Sequence, residues 1–166
     1  MKKVTTILII LLSFHFANGQ ERTLKTEKYA GTYVIGDVHS KEGGSRLEVY
    51  PESDSTVLMY LYIQNSAPSY NFGRLYGRAK IFNGKGHFHM KMDYPDNTCH
   101  WLIVINKDAL VVSTIDRQYD CGFGNGVFAD GKYKKVFGKI PKYFIQGDGE
   151  KIYFSKVKPE LYNETL

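Results

Sequence analysis

Residues 70–93, YNFGRLYGRAKIFNGKGHFHMKMD, decide the fold. Tyr70 to Phe82 is strand-like, with Gly73 and Gly77 breaking it at the places where a strongly curved barrel wall needs a bulge or bend. Asn83-Gly84 follows, and both residues tolerate the positive φ that a two-residue hairpin turn demands. Gly86 to Asp93 is the returning strand. Because side chains alternate along a strand, Phe88, Met90 and Met92 are expected to face inward, with His87, His89, Lys91 and Asp93 in water.

The same rhythm extends to both sides of this hairpin. Thr56 to Gln64 (TVLMYLYIQ) is the strongest strand. It is apolar on both faces, so Tyr60 and Tyr62 need a cover other than the core, which a C-terminal extension can supply. Tyr29 to Ile35 reads as the first strand, and Arg46 to Tyr50 as the second, stopped by Pro51. Asn106-Lys107-Asp108 joins His100–Ile105 to Ala109–Ile115. Asp116 to Gly126 reads as a loop and Val127 to Val136 as the last clear strand. Tyr143–Gln146 and Lys151–Phe154 flank Gly147-Asp148-Gly149 and can pair. With 13 Tyr and 10 Phe against one Trp, the composition suits pleated, half-buried surfaces. The reading is an all-β fold: a small antiparallel meander barrel of about eight strands, with one disulfide and a C-terminal extension. Its expected divisions are a signal peptide (1–19), a flexible lead-in (20–28), the β-barrel domain (29–137) and the extension (138–166).

Residues 1–19 carry that first division. Lys2 and Lys3 precede an apolar run from Val4 to Leu12, and Ala17-Asn18-Gly19 has the small-x-small pattern of a peptidase site before Gln20. A periplasmic or secreted protein is expected, without a membrane span, since no later segment approaches about eighteen apolar residues. The export segment holds two of the 22 basic residues and none of the 17 acidic ones, which reduces the net charge from +5 to +3. That is an ordinary solubility charge, and it gives no footprint for nucleic acid. Lys132, Lys134, Lys135, Lys139 and Lys142 cluster locally and read as a solvated strand end. In an oxidising compartment Cys99 and Cys121, 22 positions apart, are expected to join. Closing such a loop stabilises by about 3 kcal/mol.

Around the second cysteine the chain runs Cys121-Gly122-Phe123-Gly124-Asn125-Gly126-Val127-Phe128-Ala129-Asp130-Gly131-Lys132-Tyr133. This resembles small exported bacterial β-barrel domains with a CGFG…DGxY signature. They are lipocalin-like or lysozyme-inhibitor-like, begin with a GTY-like strand (here Gly31-Thr32-Tyr33) and carry a paired upstream cysteine (here Cys99). The resemblance covers roughly residues 29–137 and bears on fold more than on activity. Independently of the resemblance, three glycines in five positions after a disulfide allow left-handed or tightly packed backbone, which reads either as a corner of the barrel or as a rigid, disulfide-braced loop presenting Tyr119, Asp120, Phe123 and Asn125 to a partner.

Other motifs fall short of a reaction centre. Asp37-Val38-His39 looks like the first metal strand of calcineurin-like phosphoesterases, but no GDxxD or GNH[DE] segment follows to supply further ligands. His87 and His89 share a strand face and, with His39, are the candidate metal ligands of a weakly supported hydrolase. Gly122–Gly126 lacks the helix that a dinucleotide loop requires. The expectation is therefore an exported non-catalytic binding module, without a cofactor, recognising a protein, peptide or glycan. The resemblance alone implies the specific form, an inhibitor or immunity-type protein. The alternatives are a lipocalin-like carrier of a small apolar ligand and the metal-dependent hydrolase.

Overall fold

The computed structural model describes residues 23–91, 98–119 and 121–163. The export segment, the start of the lead-in, Met92, Asp93, Asp120 and the end of the tail lie outside the described residues. Eight strands form a closed barrel in chain order: β1 (Gly31–Gly36), β2 (Gly44–Pro51), β3 (Thr56–Gln64), β4 (Phe72–Phe82), β5 (Lys85–Lys91), β6 (Thr98–Ile105), β7 (Ala109–Tyr119) and β8 (Gly131–Phe137). Each strand pairs antiparallel with the next, and β8 returns to β1 with Tyr33 opposite Lys135. A two-stranded hairpin, β9 (Tyr143–Ile145) and β10 (Lys151–Tyr153), and a short helix α1 (Pro159–Asn163) complete the chain.

The turn at Asn83-Gly84 forms as its residues require, with φ of 49° and 76°. Gly77 is demanded by close approach, since a Cβ there would stand 2.2 Å from the Phe88 ring. That ring stacks on Trp101 with centroids 4.6 Å apart. Tyr33, Leu47, Phe88, Leu110 and Tyr133 have no exposed surface at all, so no water-sized space adjoins them inside the barrel. Phe88 faces inward as expected, and the half-buried Met90 packs against the same core.

Three boundaries differ from the sequence reading. Tyr29 does not open a strand: Glu27–Tyr29 is a turn of 3₁₀-helix whose buried tyrosine closes one end of the barrel. Tyr33 donates its phenol hydrogen to the Tyr29 carbonyl at 2.7 Å, and Thr26 is buried beneath the turn. The described end of the lead-in is thus built into the fold, with Tyr29 in the barrel core and the Thr26 hydroxyl donating to the Ser53 carbonyl. Strand β7 continues through the expected loop to Tyr119. A register shift between Cys99 and Trp101, with Asp116 at φ 52°, absorbs the extra residues and sets Tyr119 opposite Cys99. Strand β8 begins at Gly131 rather than at Val127. Asp130 stops the preceding segment by accepting hydrogen bonds from the Thr114 amide (2.7 Å) and hydroxyl (2.6 Å). Of the local lysines, Lys135 leaves the solvated face and lies over the Tyr33 ring at 5.3 Å, where desolvation lowers its pKa.

The outer face of β3 and β4 is covered, as its two-sided apolarity requires. Leu58, Tyr60 and Tyr76 form a second core with Phe144, Ile152, Phe154 and Tyr162. Tyr60 stacks on Phe144 with centroids 3.8 Å apart and planes 9° from parallel. A charged latch borders this core. Arg78 donates two hydrogen bonds to Glu52 and pairs with Glu160 of α1, while Lys158 reaches Glu52 at 3.0 Å.

Candidate functional site

The second core ends short of the upper edge of β3 and β4, and a cleft opens there between the barrel wall and the C-terminal hairpin. Alternation along β3 points Tyr62 outward, two residues beyond the covered Tyr60. Along β4 it sends Phe72 and Arg74 to the same face. The hairpin turn Gln146-Gly147 lies against Arg74 so closely that a Cβ on Gly147 would stand 2.1 Å from a guanidinium nitrogen. A larger residue at 147 would have to displace the Arg74 guanidinium.

The cleft has two lobes, of about 430 and 440 Å³, which share Tyr62, Arg74, Gln146 and Gly147. One lobe adds Phe72 and Asp148; the other runs under Tyr143 and over Arg46 and Glu48 to His39. Glu48 is buried but fully engaged. It accepts from the Thr32 hydroxyl at 2.6 Å and from Arg46 Nε at 2.7 Å. The Arg74 guanidinium lies over the Phe72 ring at 5.1 Å. Burial pushes the Tyr60 phenol well above the ordinary tyrosine range, so it stays protonated and donates to the Ile145 carbonyl at 3.3 Å. Gln146 supplies the anomaly: its side-chain carbonyl oxygen is buried without a hydrogen-bond partner. Such an acceptor costs about 1–3 kcal/mol until a donor reaches it.

The residues singled out from sequence fall in three places. Cys99 and Cys121 are joined, with S–S 2.06 Å and Cα atoms 4.7 Å apart. The loop after Cys121 is braced as expected. Gly124 donates its amide to the Phe72 carbonyl, and the side-chain amides of Asn71 and Asn65 donate to the carbonyls of Asn125 and Gly126. Phe123, however, turns inward to half-burial over Gly73 and Trp101, its ring 6.4 Å from the indole, and so serves the barrel first. Asn125 is exposed, Asp120 lies outside the described residues, and of Tyr119 only the backbone is described.

The proposed histidine set does not assemble. His39, in the β1–β2 loop, lines the cleft, while His87 and His89 stand on the outer face of β5 beside His100. Among the described residues no three His, Cys, Asp or Glu side chains converge as a metal site. Sequence reasoning missed Arg74 and Gln146, which meet only when the hairpin docks. The one available signal was the surplus apolarity of Tyr60 and Tyr62, which marks the wall but not its polar rim. Among the described residues no helix is long and apolar enough to cross a membrane. No family model, curated protein or solved structure matches this chain.

Proposed function

We propose that this chain is an exported, non-catalytic binding module whose site is the cleft under the C-terminal hairpin. The ligand class it suits best is a glycan bearing a carboxylate. The observation that carries this reading is the unpartnered Gln146 carbonyl beside the Arg74 guanidinium, flanked by the rings of Tyr62, Phe72 and Tyr143. With Gln146 swung outward, a sugar hydroxyl donates to its amide oxygen, a carboxylate accepts from the guanidinium, and the ring faces stack on the sugar's C–H surface. These groups bind and orient; the carboxylate at the cleft floor, Glu48, is occupied by Arg46 and Thr32. Side chains without exposed surface, Tyr33, Leu47, Phe88, Leu110 and Tyr133 among them, occupy the barrel interior and support this reading over a carrier with an apolar ligand inside. Export rests on the leading residues and accords with the disulfide.

Titration by nuclear magnetic resonance with oligogalacturonate, a neutral cello-oligosaccharide and an acidic peptide tests the proposal. Oligogalacturonate is expected to shift the amides of residues 62, 74 and 146. Arg74→Ala is expected to weaken it about ten- to a hundredfold, the loss of a charge-assisted hydrogen bond of about 1.5–3 kcal/mol. Preference for the peptide would replace the glycan with a peptide ligand. Binding by none of the three, or shifts confined to other surfaces, would refute the site.

A further inference from the structure

A second polar cluster lies on a different stretch of wall and shares no residue with the cleft. Strands β5 and β6 pair with His89 opposite His100 and His87 opposite Leu102, so His87 and His89 flank His100 on the outer face. His87 Nδ1 and His100 Nε2 share a hydrogen bond at 3.2 Å, which a metal ion would replace. The His89 ring meets the His100 ring edge-on, with centroids 5.3 Å apart. Directly behind them, the neighbouring Phe88 and Trp101 point inward and stack, which holds the backbone carrying the imidazoles.

We propose that His87 and His100 form a surface site for a divalent transition-metal ion, with His89 as an accessory third ligand. Two nitrogens bound to one tetrahedral zinc ion at about 2.0–2.1 Å lie about 3.3 Å from each other. The observed separation already has that bite. Among the described residues no third ligand converges, so two imidazoles hold the ion and His89 joins by side-chain rotation. The donor set is all imidazole, which favours zinc, copper or nickel and disfavours magnesium and calcium. Lys80 faces His87 from β4, and Lys85 and Lys91 share the outer face of β5. These ammonium groups lower affinity for a bare dication and attract an anion, so water and an anionic co-ligand complete the coordination.

Calorimetric titration of the purified chain with zinc, nickel and calcium salts tests the site. One equivalent of zinc or nickel is expected to bind, and calcium is expected not to. His87→Gln and His100→Gln should each weaken zinc binding by about tenfold or more, with His89→Gln weakening it less. All three side chains sit on the outer face, and Trp101 fluorescence verifies that each variant is folded. Unchanged zinc binding in the His87→Gln/His100→Gln double variant would overturn the assignment. So would the absence of a heat of binding at millimolar zinc, or zinc-induced shifts confined to His39.

Discussion

Replacing Phe144 by alanine separates the role of the C-terminal hairpin from that of the barrel. Phe144 is 3% exposed and touches four rings: it stacks on Tyr60, and Tyr76, Phe154 and Tyr162 meet it at 4.9, 5.3 and 5.6 Å. Removing so packed a ring costs about 3–5 kcal/mol. Strands β9 and β10 have three residues each, and such a hairpin is marginal by itself, so its order depends on this contact. The barrel has its own core behind the β3 wall and does not use Phe144. The loss should therefore fall on local opening of residues 143–154. Their amides should exchange about a hundred- to a few-thousandfold faster, which is that free energy converted at tenfold per 1.4 kcal/mol. Trp101, buried inside the barrel, reports the other half. Its fluorescence should retain the native emission in Phe144→Ala under conditions where the hairpin amides exchange. Cleft binding should be lost at the same time, because Gln146 and Gly147 leave Arg74. Hairpin amides as protected as in the parent chain, or simultaneous unfolding of hairpin and barrel, would refute this division.

Three further outcomes follow from the same geometry. Reducing the Cys99–Cys121 bond, or replacing both cysteines by serine, should lower the unfolding free energy by about 3 kcal/mol in urea titration, because a loop of 22 residues is released in the unfolded chain. Gly77→Val should destabilise by about 1–3 kcal/mol or more in the same assay, since its side chain would enter the space of the Phe88 ring. For pH dependence, the hydrogen bond from Arg78, aided by Lys158, holds the Glu52 carboxyl at about 2, below its ordinary 4.5. A carboxyl depressed on folding stabilises the protein above its unfolded value, and that contribution fades as pH falls from about 4.5 to about 2. Melting temperatures should drop across this window in the parent chain, and less steeply in Glu52→Gln.

The turn chemistry of Asn83-Gly84, the alternation in β5 and the two-sided apolarity of β3 were legible because each is a local rule of backbone and side chain. The same holds for the pairing of two cysteines behind an export-like leader. The bulge in β7 was not legible, since nothing near Asp116 marks a register that Cys99 imposes from the neighbouring strand. Phe123 was legible as part of a braced loop but not as a lid over Trp101, because an aromatic in a glycine-rich turn has the same sequence whether it faces solvent or core. His100 was overlooked for a related reason. Its partnership with His87 and His89 depends on the cross-strand register of β5 and β6.

From the chain alone came the all-β class, the meander order, the disulfide and the need for a cover over Tyr60 and Tyr62. These rest on period-two patterning and on residues that can enter tight turns, which act over a few positions. The register at which β8 meets β1, the packing of Gly147 against Arg74 and the meeting of His87 with His100 belong to the tertiary structure. Each joins segments that are not neighbours within a single strand, and their distances are set by strand register and packing, which no local pattern encodes.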